Sequence, residues 1–180
     1  MYSMYCISIH SMQKIMRNLR EIIETDIFDY LQLTAALSEY SNVRCKIGRM
    51  LSNGEIIRLR KGLYTFPAYM RKHPLNSGIV ASMLHGPSYL SLDYALSFWG
   101  MIPESVCTVT SVTTTRPRVF LTPVGRFEYL SMMSEAYSIG VMMIEAKHGN
   151  FLMATKEKAL FDKAYFDRRF TGDGLKMWRL

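Results

Sequence analysis

The first part of the chain shows the spacing of an amphipathic helix. Apolar side chains recur at i, i+3, i+4 and i+7, and Ser11 is available as an N-cap, so a first helix is predicted here. Its inward residues are predicted to be Met12, Ile15, Met16, Leu19, Ile22 and Ile23. A second helix is predicted from about Phe28 to Leu37, and a short turn follows at "SEYS".

A third helix is predicted to begin at Asn42, with Ser41 as its N-cap, and to end near Asn53 and Gly54. At 100° per residue its apolar side chains share one side of the helix. This predicts a buried stripe of Val43, Ile47, Met50 and Leu51. The opposite side contains Cys45, Gly48, Arg49 and Ser52, with Asn42 beside them.

After the third helix the apolar period becomes that of strands, in "EIIRL" and "GLYTF". Arg60 and Lys61 join the two segments, and Gly62 supplies the positive φ that a tight hairpin favours. The predicted order is therefore helix, helix, short turn, helix and two-stranded hairpin. This order predicts a winged helix-turn-helix, whose third helix enters the major groove of DNA while the hairpin, the wing, touches the adjacent backbone.

The outward side of the third helix and the wing contain the candidate DNA-binding residues, which are Asn42, Arg44, Cys45, Lys46, Arg49, Ser52, Arg58, Arg60 and Lys61. Arg49 is the first candidate for a base contact, with guanine O6 and N7, and Asn42 is the second. The cations that flank the stripe and those of the wing are predicted to hold phosphates. Gly48 costs the helix about 1 kcal/mol relative to Ala, and close approach to DNA or close packing against another helix would explain it.

The net charge of +7 strengthens this interpretation because the charge is concentrated. Residues 42–72 contain eight basic residues and one acidic residue, Glu55, whereas the residues before them carry −2 and those after them +2. A concentrated basic surface attracts a polyanion, most often nucleic acid. The alternatives are a solvated basic surface, or a winged helix used for protein contacts, which has no need of this charge.

The second half of the chain predicts a mixed α+β domain. After Pro67, "AYMRKHPLNSG" has the composition of a linker, which places the two domains at residues 1–70 and 71–180. Helices are predicted near Ile79 to Leu84, from about Ser91 to Trp99 and from Lys156 to about Arg168. Strands are predicted at "VCTVTSV", "RVFLT", "FEYL", "VMMIEA" and "FLMAT", and the apolar run from Ile139 to Ile144 predicts a buried strand. A new helix is predicted to start in "TGDGLKMWRL", so we expect this domain to be truncated.

The cysteines and histidines are scattered along the chain. Cys6, Cys45 and Cys107 are odd in number and far apart, which indicates free thiols and predicts a cytoplasmic protein. No Cys/His spacing suggests zinc, so we expect neither a metal nor a cofactor. No apolar run reaches the ~18 residues of a membrane helix, and the N-terminal segment makes a poor signal peptide, so we expect no membrane partner.

One pair of residues leaves an enzyme open as an alternative. Glu145 and Lys147 form an E-x-K at the end of an apolar strand, and restriction-type nucleases use such a pair with a preceding Asp to hold Mg²⁺. No Asp lies between Asp93 and Glu145, so Glu128 would have to replace it. P-loop, G-x-S-x-G, H-E-x-x-H and G-x-G-x-x-G motifs are absent. We therefore expect no catalytic residues and no enzyme activity.

Three segments have the residues of a known family. They are "GEIIRLRKGLYTFP", with the wing pattern G-x-I-x-R-x-x-x-G-x-Y, "PSYLSLDYALSFWGMIPE" from Pro87 to Glu104, and "ATKEKALFDKAYF" from Ala154 to Phe166. In this order and at these distances they resemble the AbiEi family, the antitoxins of type IV abortive-infection systems, over roughly Phe28 to Phe166. The wing pattern alone has little specificity, whereas the three segments together are fairly specific.

The resemblance implies two activities. A winged helix in such proteins binds inverted repeats in the promoter of its own operon and represses it. A second domain counters a nucleotidyltransferase-like toxin encoded beside it, without need of a stable complex. The chain departs from the family in lacking a further helical segment, and "MYSMYCISIHS" has no counterpart. If toxin neutralisation needs that segment, a stand-alone regulator without a toxin is the alternative.

Overall fold

The computed structural model describes residues 19–167, and their mixed α+β composition is the one that the sequence predicts. These residues form one sheet of three strands and one sheet of six. The chain divides into two compact units, the first ending at Leu75 and the second beginning at Asn76. None of the helices within this range has the length and apolar character that crossing a membrane requires.

The first unit combines short helices with a small antiparallel sheet. Its elements are α1 (helical residues 19–22), β1 (Ile27–Asp29), α2 (Tyr30–Ala36), α3 (Val43–Ser52), β2 (Ile57–Arg60) and β3 (Leu63–Thr65), followed by a 3₁₀ turn (Ala68–Met70). In the sheet, β3 lies between β1 and β2 and is antiparallel to both. The predicted hairpin is confirmed, and Gly62 in its turn has a φ of 83°.

The second helix starts later than predicted, because Phe28 and Asp29 belong to strand β1. Phe28 is fully buried and pairs with Tyr64 of β3. The Asp29 carboxylate accepts the Gln32 N–H at 2.8 Å, and the Gln32 side chain accepts the Asp29 N–H at 3.0 Å. This capping box satisfies the first N–H groups of α2 and fixes where the helix begins. A strand of three residues is too short to show an alternating pattern, so β1 was not predicted.

The third helix is capped by Asn42, and the prediction that Ser41 caps it is wrong. Asn42 has a non-helical backbone, and its side-chain oxygen accepts the Cys45 N–H at 3.0 Å. Asn42 therefore precedes α3 and satisfies one of the N–H groups that a helix leaves open at its start. The helix ends at Ser52 with Asn53 as its C-cap, close to the predicted end near Asn53 and Gly54, and Gly54 has a φ of 68°.

The core of the first unit receives side chains from every helix and from strands β1 and β3. Its buried members are Leu19, Ile23, Phe28, Leu33, Leu37, Ile47, Met50, Ile56, Tyr64 and Phe66. The prediction that Ile22 faces inward is wrong, since this side chain is 61% exposed. Ile22 is rotated by about 100° from Ile23 and therefore leaves the buried sector. Ser11, Met12, Ile15 and Met16 lie outside the described residues.

The second unit is built on a six-stranded mixed sheet. Its elements are α4 (Ser77–Leu84), β4 (Ser88–Leu90), α5 (Leu92–Phe98), β5 (Thr108–Thr113), β6 (Arg118–Thr122), β7 (Gly125–Ser131), α6 (Ser134–Tyr137), β8 (Val141–Ala146), β9 (Gly149–Ala154) and α7 (Lys156–Phe166). The strand order is β6-β7-β5-β4-β9-β8. The pairs β4–β9 and β5–β7 are parallel, and the other neighbours are antiparallel.

Helices cover both faces of this sheet. On one face, the Tyr129 hydroxyl donates to the Ala81 carbonyl of α4 at 2.6 Å, and the Phe151 ring packs against Gly78. A Cβ on Gly78 would lie 2.7 Å from that ring, so the glycine lets α4 approach the sheet closely. On the opposite face, Tyr89 of β4 donates to Asp162 of α7.

The helices and strands predicted for residues 76–167 are present, whereas the helix predicted to start in "TGDGLKMWRL" lies outside the described residues. The prediction that β8 is buried is wrong. It is an edge strand, and Met142 and Met143 are 40% and 59% exposed. Within the described residues β8 has one neighbouring strand, β9, and an apolar run does not distinguish such an edge from a central strand. The elements β4 and α6 were not predicted, because three and four residues leave no periodic pattern.

Candidate nucleic-acid interface

The two faces of α3 differ as the sequence predicts. Ile47 and Met50 are buried, and Val43 and Leu51 are partly buried against the same core. The opposite side is exposed and contains Arg44, Cys45, Gly48, Arg49 and Ser52. The apolar stripe holds α3 to the first unit, and its polar and small side chains face away from the core.

Two of the predicted contact residues already have partners in α3. The side-chain oxygen of Asn42 accepts the Cys45 N–H, and the Ser52 hydroxyl donates to the Gly48 carbonyl at 3.0 Å. A bidentate contact of Asn with adenine needs both the oxygen and the NH₂ group of the amide. Asn42 would have to give up its cap for such a contact. The amide NH₂ of Asn42 suits a phosphate better than a base.

The cations of α3 are held in different ways. Lys46 is half-buried, and its ammonium lies 5.4 Å from the centre of the Tyr40 ring, a cation–π contact that limits the motion of the side chain. Tyr40 lies in the turn before α3, and no sequence pattern pointed to this role. Arg49 lies in the last turn of α3, where a cation stabilises the helix by about 0.3–1 kcal/mol.

The wing continues directly from α3. The Met50 carbonyl accepts the N–H groups of Glu55 and Ile56, so the residues leading into β2 are hydrogen-bonded to the last part of the helix. In the hairpin Arg58 pairs with Tyr64 and Arg60 pairs with Leu63, which makes Leu59 an extra residue in β2.

This bulge increases the twist of the hairpin near its tip. All three predicted wing cations, Arg58, Arg60 and Lys61, are exposed there. The structure thus groups the nine predicted site residues on α3, its cap and the following hairpin of the first unit.

Five cations of α3 and the wing have no ion-pair partner among the described residues. In that range no carboxylate lies at ion-pair distance from Arg44, Lys46, Arg49, Arg58 or Lys61. Glu55 is buried, and Asn53 donates to it at 2.9 Å. We define the basic surface as the exposed side of α3, its cap Asn42, the adjacent half-buried Lys46, and the wing cations Arg58, Arg60 and Lys61.

Arg20 shows how a cation of the same unit serves the fold instead. Its guanidinium lies 2.6 Å from the Asp26 carboxylate, which also accepts the backbone N–H groups of Lys72 and His73. Arg20 further donates to the carbonyl of Ile23 at 2.9 Å. These bonds fix the chain segment after the 3₁₀ turn. Arg44, Arg49 and Arg58 of the first unit have no ion-pair partner among the described residues.

The second unit contains a buried polar cluster that joins two of the segments of the family resemblance. Asp162 accepts the Tyr89 hydroxyl at 2.9 Å and the Ser91 hydroxyl at 2.6 Å, and lies 2.9 Å from the Lys158 ammonium. Lys158 also donates to the Ala136 carbonyl at 2.6 Å. Lys158 and Asp162 are one helical turn apart in α7, whereas their partners in β4 and α6 come from distant parts of the chain.

This cluster is enclosed by the protein. Tyr89, Ser91 and Asp162 are at most 1% exposed, and Lys158 is 6% exposed. Burial, followed by the adjacent Asp162 carboxylate, raises the pKa of Tyr89 well above its ordinary value, so the phenol stays protonated and donates. The cluster connects α7, β4 and α6 in the interior, and a reactant has no access to it.

The residues of the nuclease alternative are far apart. Glu145 ends β8, Lys147 follows it, and Glu128 lies in β7. Three strands, β5, β4 and β9, separate β7 from β8, which amounts to about 19 Å at the usual strand spacing. No group of three His, Cys, Asp or Glu side chains suited to a metal ion occurs among residues 19–167. Glu128 therefore does not complete a site with Glu145 and Lys147.

Comparisons with family models and curated proteins identify no match, so the function has to be inferred from the residues of this chain. No family model matches this chain, and no curated protein matches its sequence. The features that bear on function are the basic surface of the first unit and the buried cluster of the second.

Proposed function

We propose that this protein is a DNA-binding transcriptional repressor whose first unit acts as a winged helix-turn-helix. The observation that carries the proposal is the basic surface, whose cations on α3 and the wing are exposed or half-buried. Five of them have no carboxylate partner among the described residues: Arg44, Lys46, Arg49, Arg58 and Lys61. In this proposal α3 enters the major groove, Arg49 contacts a guanine, and the wing holds phosphates.

The order of the elements supports the same proposal. A helix, a strand, two helices and a hairpin follow one another, and the first strand pairs with the last. The apolar stripe of α3 packs against the core, which leaves the polar side of the helix available to a partner. A protein partner alone would not require a surface with this excess of positive charge.

We further propose that the repressor is the antitoxin of a type IV toxin–antitoxin pair that regulates its own operon, acting in the cytoplasm. This step rests on the AbiEi resemblance. It is supported by the cluster of Tyr89, Ser91, Lys158 and Asp162, since two distant segments of the resemblance meet there. Because the cluster is buried, these residues maintain the second unit, and a toxin would meet other side chains. A stand-alone regulator without a toxin is the second candidate.

The wing provides the test of DNA binding. A triple variant, Arg58→Ala, Arg60→Ala and Lys61→Ala, should weaken binding to all duplex sequences and make the slope of log K against log salt shallower by up to about three units. The matched control changes Arg116, Arg118 and Arg126 to Ala, which removes the same charge from exposed positions of the second unit. An unchanged slope in the wing variant removes the wing from the interface. Absence of salt-dependent binding by the natural protein overturns the proposed function.

Co-expression with the product of the adjacent gene tests the antitoxin proposal. If that gene encodes a nucleotidyltransferase that arrests growth, this protein should restore growth. The wing variant should still restore growth while no longer repressing the promoter, because the resemblance assigns the two activities to different domains. A growth arrest that this protein does not relieve would leave the stand-alone regulator as the function.

A further inference from the structure

Gly48 lies in the middle of α3 on its exposed side. A glycine inside a helix costs about 1 kcal/mol relative to alanine, so a structural reason for it is expected. A positive φ is one common reason, and it does not apply, since Gly48 is absent from the positive-φ glycines of the described chain. Alanine fits the backbone at this position equally well.

Close packing within the chain is the second common reason, and it does not apply either. No described atom, other than the adjoining residues and the backbone of α3, lies within 4 Å of the place that a Cβ on Gly48 would occupy. Gly78 of α4 shows the opposite case, because its Cβ would lie 2.7 Å from the Phe151 ring. Gly78 thus serves the packing of the second unit, whereas the space that a Cβ on Gly48 would occupy is open.

The side chains around Gly48 indicate what approaches it. Arg49 follows it directly, Arg44 and Cys45 precede it by one turn, and all of them are exposed. The Gly48 carbonyl accepts the backbone N–H of the helix and the Ser52 hydroxyl, so no backbone acceptor is left unsatisfied at this position. Position 48 is distinguished by the open space between Arg44 and Arg49, which have no carboxylate partner among the described residues.

We propose that Gly48 is the point of closest approach between α3 and the groove of bound B-form DNA. This inference rests on the proposed function. Without a Cβ at position 48 the helix lies deeper in the groove, and Arg49 reaches the base edges. The major groove of B-form DNA admits an α-helix, whereas that of an A-form RNA duplex is too narrow for it. The partner is therefore duplex DNA, and an RNA duplex of the same sequence should compete poorly.

The test uses the full chain and a duplex taken from upstream of its own coding sequence. Gly48→Ala should raise the midpoint of urea unfolding, because alanine favours the helix and meets no neighbour. The same variant should bind the duplex about tenfold more weakly, and Gly48→Leu more weakly still, as expected when a methyl group is inserted into a close contact. Ala35→Leu, at an exposed position of α2 outside the basic surface, should leave affinity unchanged.

The outcomes separate this inference from the proposed function. Higher stability together with weaker DNA binding supports it. If the natural protein binds the duplex, and both Gly48 variants bind it equally well, Gly48 is not the point of approach, although DNA binding stands. A loss of stability in Gly48→Ala would show that the chain itself occupies this space, and would overturn the inference too. If the natural protein does not bind the duplex, the proposed function fails first.

Discussion

The two units use charged side chains in opposite ways. In the first unit the cations of the basic surface are held at the surface, and five of them have no ion-pair partner in the described part of the chain. In the second unit Lys158 and Asp162 form an ion pair whose side chains are 5% and 0% exposed. An exposed cation loses little hydration and stays available to a polyanion, whereas a buried ion pair is stable only with both partners present. Charged side chains are therefore available for binding in the first unit and stabilise the fold in the second.

The largest effect is expected from breaking the buried pair. Lys158→Met leaves the Asp162 carboxylate in the interior without its cation and removes the donor to the Ala136 carbonyl. We expect a loss of about 3–5 kcal/mol in the free energy of unfolding, measured by urea denaturation. The control is Lys163→Met, because Lys163 pairs with Asp93 at 2.8 Å with both side chains more than a third exposed. That change should cost about 0–1 kcal/mol. Equal losses for the two variants would contradict this contrast between buried and exposed pairs.

An intermediate effect, on binding alone, is expected from Arg49→Ala. A bidentate arginine–guanine contact contributes about 1–3 kcal/mol of discrimination, so affinity for the operator should fall about 5- to 150-fold. The free energy of unfolding should change by about 1 kcal/mol or less, the range of a helix-terminal cation. Fluorescence anisotropy with the operator and with a duplex of scrambled sequence measures the change. Arg126→Ala, exposed in the second unit, is the control. A uniform loss on both duplexes would make Arg49 a phosphate contact instead.

The smallest effect of a substitution is expected at Cys45. This thiol is exposed on α3, and Cys45→Ser should bind DNA nearly as well as the natural protein. Alkylation of Cys45 with a bulky reagent should block binding sterically, bound DNA should slow the alkylation, and Cys45→Ser should resist the reagent. Cys107, also exposed, lies in the second unit, so Cys107→Ser isolates the reaction at Cys45. If the alkylated, folded protein binds DNA normally, the outward side of α3 does not face DNA.

The sequence was most informative where a pattern was long enough to show its period. The ten residues of α3 display a complete apolar stripe, and the structure buries Ile47 and Met50 on that side. The strand "RVFLT" coincides with β6 and "VMMIEA" with β8. Short elements gave no such pattern. β1 and β4 have three residues each, and they become visible only through their pairing with β3 and β5.

Tertiary contacts account for what the sequence did not reveal about the candidate site. Charge and helical phase predict the nine site residues, and both are local properties of the sequence. The cation–π contact of Lys46 with Tyr40 depends on the fold of the turn between α2 and α3. The hydrogen bonds of Asp162 with Tyr89 and Ser91 join residues more than 70 positions apart. No periodicity connects such positions, so only the folded chain brings them together.

The exposed edge at β8 also bears on how the protein responds to an oxidising medium. Met142 and Met143 are 40% and 59% exposed, whereas Met50 and Met153, in the interior of the two units, are 0% exposed. Peroxide converts an accessible methionine into its sulfoxide, which is polar and chiral. The edge strand would therefore lose its apolar character while the interior of both units remained chemically intact. A sulfoxide reductase would reverse the change at these exposed side chains.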